Sequence, residues 1–131
     1  MSLFVATAFA AAVSCALPSN EIARQASLPY AAFDDMAAPY GWRYLSDAGC
    51  ADAAVALLEG YADTNGRELS PAAAMELPFH IGQVLAFAGR ESESIDYFER
   101  SVTRGGDEWR TYVVATHCFP EARRRDARIG P

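Results

Sequence analysis

Apolar residues recur at helical spacing on both sides of Gly89. Before the glycine, Ile81, Val84 and Leu85 follow the i, i+3, i+4 pattern of one helix face. After it, the apolar positions repeat the same period within a largely charged segment. A glycine just beyond an apolar stripe is typical of a helix C-terminus, where a positive φ is needed. The pattern therefore predicts two helices over residues 79–101, joined by a tight bend at Gly89.

A second copy of this pattern lies 40 residues earlier in the chain (89 − 49 = 40). When Gly49 is aligned with Gly89, small and apolar positions correspond in pairs: Leu45 with Leu85, Ala48 with Ala88, Ala54 with Ser94, Val55 with Ile95, Leu58 with Phe98, and Gly66 with Gly106. Agreement at so many positions indicates an internal repeat, since a lone glycine would carry little weight.

Together with these bends, the residues that begin or interrupt helices elsewhere in the chain predict an all-α fold of about five helices in antiparallel helical hairpins. Ser70 and Pro71 predict a helix start, with the serine as N-cap and the proline at the first helical position. Pro78 predicts a kink or a later start, because an interior proline removes a backbone hydrogen bond. Residues 20–27 are polar and predict an arm or linker. Small residues at Gly82 and Ser94 predict a close approach of two helices.

The residues around the second bend resemble one tetratricopeptide repeat. The matching positions, in order and spacing, are Ile81, Gly82, Leu85, Gly89, Ser94, Phe98 and Ser101. Across the chain, the segments SLPYAAF, GWRYL, FHIGQ and EWRTYVVAT are similar to small bacterial helical proteins described as tetratricopeptide-like. This resemblance implies a tetratricopeptide-like helical domain over residues 28–119 and a location in the cell envelope. It implies no particular activity.

Length and charge limit the function classes. The chain has 131 residues, enough for one domain, and a net charge of −6. An acidic chain is a poor candidate for nucleic-acid binding, which usually needs a basic surface. Residues 120–131 form a polar, arginine-rich tail that we interpret as a solvated end rather than a surface for anionic lipid.

The N-terminal segment 1–16 is apolar and uncharged, and is too short to span a membrane as one helix. It suits a secretory signal peptide cleaved after Ala16. A lipoprotein box ending at Cys15, or an apolar N-terminal helix, are the alternatives. A cleaved leader predicts a periplasmic or secreted protein, and its absence a cytoplasmic one. Cleavage after Ala16 would leave Cys50 and Cys118, either as a candidate disulfide or as two buried thiols.

No motif for catalysis or cofactor binding occurs in the chain. There is no hydrolase elbow, phosphate-binding loop, zincin helix or dinucleotide fingerprint, so no enzyme and no cofactor is predicted. A metal site drawn from His80, His117, Cys50 and Cys118 matches no known ligand spacing, and none is predicted. The adjacent carboxylates Asp34 and Asp35 are interpreted as helix caps or solvated charges.

The duplicated pattern predicts a non-enzymatic protein-interaction module of the bacterial cell envelope. Helical repeats bind peptides on one face, and Glu76, Phe79 and Gln83 are the candidate peptide-binding residues. The partner would be a protein or peptide. A structural homo-oligomer is the first alternative, because two repeats are few for a free-standing stack. A metal-binding or enzymatic protein using His80 or His117 is a weaker one.

Overall fold

The computed structural model of the chain describes residues 14–117. Within that range the chain forms seven α-helices and no strand, which confirms the all-α class. The predicted number of about five helices is too low, because the chain is also helical in two short segments before residue 34. The helices are α1 Ser19–Ala26, α2 Tyr30–Phe33, α3 Trp42–Asp47, α4 Ala51–Asn65, α5 Pro71–Phe87, α6 Glu91–Arg104 and α7 Asp107–His117. From α3 onward each helix packs against the next, and α1 lies against α4. The arginine-rich tail at 120–131 lies outside the described residues.

The two predicted bends have the same backbone geometry. Gly49 has a φ of 81° and Gly89 a φ of 79°. At the first bend the Cys50 amide donates to the Leu45 carbonyl at 2.8 Å, and at the second the Arg90 amide donates to the Leu85 carbonyl at 2.9 Å. A hydrogen bond of this span, from just past the helix to its last turn, closes the C-terminus around a left-handed residue. The bends are thus equivalent in hydrogen bonding as well as in sequence.

Burial is similar at three of the pairs of positions aligned in the sequence. Leu45 and Leu85, at 1% and 2% exposed, are both in the core, as are Leu58 and Phe98 at 0% and 2%. These pairs supply the apolar positions of their two helical segments. The small residues Ala54 and Ser94, at 0% and 3% exposed, are also paired and buried. In each of these three pairs, both residues are buried.

Ser101 joins three helices through hydrogen bonds in the second half of the core. Its hydroxyl, on α6, donates to the Met75 carbonyl of α5 at 2.8 Å. The same hydroxyl accepts a hydrogen bond from Trp109 Nε1 of α7 at 2.8 Å. Ser101 is fully buried, so its hydroxyl takes its hydrogen-bond partners from the protein instead of from water.

Several helix boundaries agree with the sequence, and one segment does not. Ser70 caps α5 by accepting from the Ala73 amide at 3.1 Å, and Pro71 begins the helix as predicted. Helix α5 continues through Pro78 to Phe87, so the later start that the proline allowed is wrong. The polar segment predicted as an arm or linker is helical over Ser19–Ala26. That helix is fixed by a polar contact, since the buried Gln25 amide donates to the Tyr40 carbonyl at 2.9 Å.

A disulfide ties the start of the described chain to the first bend. Cys15 and Cys50 are bonded, across 35 residues of sequence. Because a cysteine forms only one disulfide, the predicted pairing of Cys50 with Cys118 is wrong for this structure. The sequence points to Cys118 only if Cys15 is assigned to a removed leader. Cys118 itself lies outside the described residues.

Among the helices that the structure describes, none combines the length and the apolar character needed to cross a membrane.

Candidate functional site

One face of α5 carries most of the candidate chemistry of the chain. Glu76, His80, Gln83 and Phe87 follow a 4, 3, 4 spacing and therefore share one side of the helix. Glu76 and Gln83 are half-buried and His80 is buried. Phe87, near the C-terminal end of the helix, is 77% exposed. The face thus passes from a buried polar end to an exposed apolar end.

Aromatic contacts place this face between α3 and α7. The Trp42 ring of α3 lies 4.7 Å from the His80 ring, measured between centroids. On the other side, the Phe79 ring lies 5.0 Å from Trp109 and 5.8 Å from Tyr112, both on α7. The opposite sides of α5 are occupied by α4 and α6. The three helices α3, α5 and α7 therefore contribute to one surface, here called the α3–α5–α7 face.

Exposed aromatic side chains occur on each helix of this face. Tyr44 on α3 is 43% exposed, Phe87 on α5 is 77% exposed, and Tyr112 on α7 is 49% exposed. Tyr44 packs edge-on against Tyr40, with ring centroids 5.6 Å apart. Large aromatic side chains at a surface are more informative than scattered aliphatic ones, because they dominate the energetics of interfaces.

The three residues predicted to bind a peptide differ in their accessibility. Phe79 is only 4% exposed and packs against Phe98 as well as α7, so its ring contributes to the core. Gln83 lies within hydrogen-bonding distance of the ring of His80. Glu76 belongs to a cluster of ionisable groups with Asp34 and His80. Phe79 is therefore a core residue below the surface, whereas Glu76 and Gln83 are half-buried residues of the face itself.

The cluster of Asp34, Glu76 and His80 is the densest group of metal-ligating side chains in the described residues. One ligand atom from each residue lies within 4.8 Å of the other two. Asp34 follows α2 directly, and the other two residues lie one turn apart on α5. Exposure of the side chains is 21% for Asp34 and 10% for His80, so the cluster is sheltered but reachable from solvent.

The two ring nitrogens of His80 differ in their hydrogen bonding. Nδ1 lies 3.0 Å from Gln83 Oε1, within hydrogen-bonding distance. Nε2 is buried, lies 3.3 Å from Asp34 Oδ1, and makes no hydrogen bond of acceptable geometry. The ring is therefore oriented by Gln83 so that Nε2 is directed at the carboxylates.

Arg43 and Trp42 border the cluster on the side of α3. Arg43 Nη2 donates to Asp34 Oδ1 at 3.0 Å, and its guanidinium lies over the Trp42 ring at 4.1 Å. Burial acts to raise the pKa of Asp34, but contacts with His80, Arg43 and Trp42 outweigh it and keep this pKa below its usual value. Asp34 is thus a carboxylate, not a carboxylic acid, at neutral pH.

Two further buried polar atoms occur around the same carboxylates. The Tyr30 hydroxyl and Trp42 Nε1 are both buried, and neither has a hydrogen-bond partner of acceptable geometry among the described residues. Burial, followed by the charges of Asp34 and Glu76, raises the pKa of Tyr30 far above its ordinary value. The phenol therefore remains a neutral donor next to an acidic cluster.

The sequence identifies only part of this site. Asp35 is exposed, as expected of a solvated charge, and its carboxylate also accepts from the Ala37 amide at 2.9 Å in a turn. Asp34 does not, because it is half-buried in the cluster rather than solvated. It lies 42 residues before Glu76 (76 − 34 = 42), and no local pattern links the two. The side chain of His117 and the whole of Cys118 lie outside the described residues, as does any metal site that would include them.

Comparison with protein-family models, with curated proteins and with solved structures finds no match for this chain.

Proposed function

We propose that the chain is a non-enzymatic protein-interaction module of the bacterial cell envelope. It binds a peptide or a protein on the α3–α5–α7 face. The observation that carries this proposal is the exposed Phe87, which lies on the same side of α5 as Gln83 and Glu76. An exposed aromatic at the end of a partly polar surface is typical of an anchor that a partner buries on binding.

The arrangement of the helices supports this choice of face. We propose that the two equivalent bends, at Gly49 and Gly89, make the fold a short tetratricopeptide-like stack in which α3, α5 and α7 are the inner helices. In such repeats, successive first helices line the binding surface. The contacts of Trp42 with His80 and of Phe79 with Trp109 connect these three helices to one another, in agreement with that arrangement.

The disulfide supports a location outside the cytoplasm. Disulfides persist in the periplasm and in secreted proteins and are rare in a reducing cytosol. A bonded Cys15 also bears on processing, because cleavage after Ala16 would remove this residue, and lipidation would consume its sulfur. The disulfide with Cys50 is therefore compatible with a leader that ends before Cys15, or with an apolar N-terminal segment that is retained. The intact mass of the exported protein would decide between these forms.

A structural homo-oligomer is the second candidate. Phe87 on α5 and Tyr112 on α7 could be covered by a second copy of the chain instead of a different protein. Two repeats bury little apolar surface by themselves, and stacking with another copy would extend the core. The molar mass in solution separates the two candidates, since only the homo-oligomer gives a multiple of the chain mass without a partner.

The test of the proposed face uses two serine variants of exposed apolar residues. Phe87→Ser alters the α3–α5–α7 face, and Ile22→Ser alters α1, which packs against α4 instead. A partner captured from envelope extracts is purified, and its Kd is measured for each variant. We expect Phe87→Ser to weaken binding by about tenfold or more, and Ile22→Ser to leave it unchanged. Equal affinity for both variants would place binding elsewhere.

A further inference from the structure

We propose that Asp34, Glu76 and His80 form a binding site for one divalent transition-metal ion of the zinc class. The sequence predicts no metal site and leaves a metal-binding protein that uses His80 or His117 only as a weaker alternative; the proposal takes up His80 from that alternative. It does not depend on the proposed interaction function, although Glu76 belongs to both sites, because it is argued from the contacts around His80 alone. Three properties of the cluster support a metal ion: the orientation of the imidazole, the presence of two carboxyl groups near its Nε2 atom, and the spacing of the ligand atoms.

The hydrogen bond to Gln83 fixes the state of the imidazole. Gln83 Oε1 is an acceptor, so the Nδ1 atom of His80, at 3.0 Å, must donate its proton. In the neutral ring, Nε2 then carries a lone pair instead of a proton. This is the tautomer in which histidine binds a metal, and an outer partner that holds the other nitrogen is the usual companion of such a ligand.

A lone pair at Nε2 has no favourable partner in the cluster. It faces Asp34 Oδ1 at 3.3 Å, and this carboxylate is also an acceptor. Two acceptors directed at each other are unfavourable, and more so in a site where Nε2 is buried. A positive charge between them is therefore required. It is supplied either by a proton on Nε2 or by a metal ion.

The presence of Glu76 favours the metal ion. A proton on Nε2 satisfies one carboxylate, and Arg43 already neutralises Asp34 through its 3.0 Å contact. Glu76 also brings a carboxylate oxygen to within 4.8 Å of the other two ligand atoms. A divalent cation would satisfy both carboxylates and the nitrogen together, whereas one proton cannot.

The spacing of the ligand atoms fits a small cation. Zinc bonds to histidine nitrogen and carboxylate oxygen are roughly 2.0–2.2 Å long, and a tetrahedral arrangement places such ligands about 3.4 Å apart. The separation of His80 Nε2 from Asp34 Oδ1 is 3.3 Å. Glu76 must approach from within 4.8 Å, a movement that its half-buried side chain allows by rotation. The mixed nitrogen and oxygen donors favour zinc over magnesium or calcium, which prefer oxygen alone.

Titration calorimetry of the metal-stripped full-length protein with Zn²⁺ tests the site. All variants carry Cys118→Ser, because the third cysteine of the chain would otherwise compete as a zinc ligand. We expect one Zn²⁺ per chain, with no binding of Mg²⁺ under the same conditions. His80→Gln and Glu76→Gln should each abolish binding or weaken it by more than about 100-fold. His117→Gln, which alters the other histidine, should leave it unchanged.

A second pair of variants tests the metal site if His80→Gln or Glu76→Gln unfolds the protein. Gln83→Leu removes the acceptor for Nδ1 and is expected to weaken Zn²⁺ binding by roughly 10–100-fold, whereas Gln83→Glu retains an acceptor and should restore it. Far-UV circular dichroism confirms that each variant is folded. Absence of Zn²⁺ binding to the parent protein, or binding that folded His80→Gln retains, would overturn the proposal. Either result would mean that a proton on Nε2, and not a metal ion, supplies the positive charge.

Discussion

The ring of Phe98 occupies the space that a side chain on Gly82 would need. A Cβ atom built on Gly82 would lie 2.7 Å from Phe98 Cε1 and 2.8 Å from Cδ1. Gly82 is on α5 and Phe98 on α6, the two helices with the most extensive contact in the described chain. The glycine therefore permits the close approach of these helices, as its position in the sequence predicts.

This contact predicts that Gly82→Ala destabilises the protein although alanine is the better helix former. Displacing a packed ring costs about 1–3 kcal/mol, against a gain of about 1 kcal/mol in helix propensity. A Cβ atom on Gly60, inside α4, would meet no atom within 4 Å, and Gly60→Ala should add about 0.5–1 kcal/mol of stability. Urea unfolding measures both. Equal stabilisation by the two substitutions would contradict the packing at Phe98.

The equivalence of the two bends predicts equal responses to the same substitution. A side chain at Gly49 or Gly89 meets no atom within 4 Å, so the cost of alanine is that of the left-handed backbone alone. We expect Gly49→Ala and Gly89→Ala each to lower the free energy of unfolding by about 1–2 kcal/mol. Asparagine, which tolerates this conformation better, should cost less at both sites. A substantial loss at only one glycine would show that the bends are not equivalent.

The disulfide predicts different roles for the three cysteines. Loss of the bond between Cys15 and Cys50, by reduction or by Cys15→Ser, should lower the free energy of unfolding by about 2–4 kcal/mol. Cys118→Ser is the matched control and should leave the stability and its response to reductant unchanged. If Cys118→Ser instead removed the effect of reductant and Cys15→Ser did not, the predicted pairing of Cys50 with Cys118 would be restored.

The raised pKa of Tyr97 predicts that the protein loses stability at alkaline pH. A hydrogen bond to Glu59, and then burial, raises the pKa of Tyr97, while Arg100 over its ring acts in the opposite direction. The folded state thus holds this proton more tightly than the unfolded state. The stabilisation is complete below the unfolded pKa of about 10 and declines as the pH rises through the folded pKa.

Urea unfolding between neutral pH and pH 11 measures this dependence. Tyr97→Phe should show a shallower decline in the free energy of unfolding than the parent chain above about pH 10. Glu59→Gln should show an intermediate decline, because it removes the main cause of the raised pKa. Identical slopes in all three proteins would exclude a contribution from Tyr97.

Local signals in the sequence predict several of the helix ends well. Gly89 marks a bend because only a residue that tolerates a positive φ fits there, and its φ is 79°. Ser70 marks a helix start because its side chain can bond the exposed amides of the first turn, and it accepts from Ala73. These features depend on neighbouring residues, so they are visible without the fold.

Features that depend on distant residues are not visible in the sequence. Helix α1 lacks a continuous apolar stripe, and its buried residue is Gln25, which is fixed by the distant Tyr40 carbonyl. Asp34 becomes part of a site only because the fold brings it to His80. The role of Cys15 is hidden by its position in an apolar segment that resembles a leader. In each case a contact across the fold decides the outcome.

Photocrosslinking from position 87 in the native host tests most directly whether the α3–α5–α7 face binds a partner. A photoreactive phenylalanine analogue replaces Phe87 in one protein and Thr103, an exposed residue of α6, in the control. We expect a discrete adduct from position 87, heavier than the chain by the mass of a different protein, and no such adduct from position 103. Adducts of only twice the chain mass, or the same adducts from both positions, would contradict binding of a separate partner on this face.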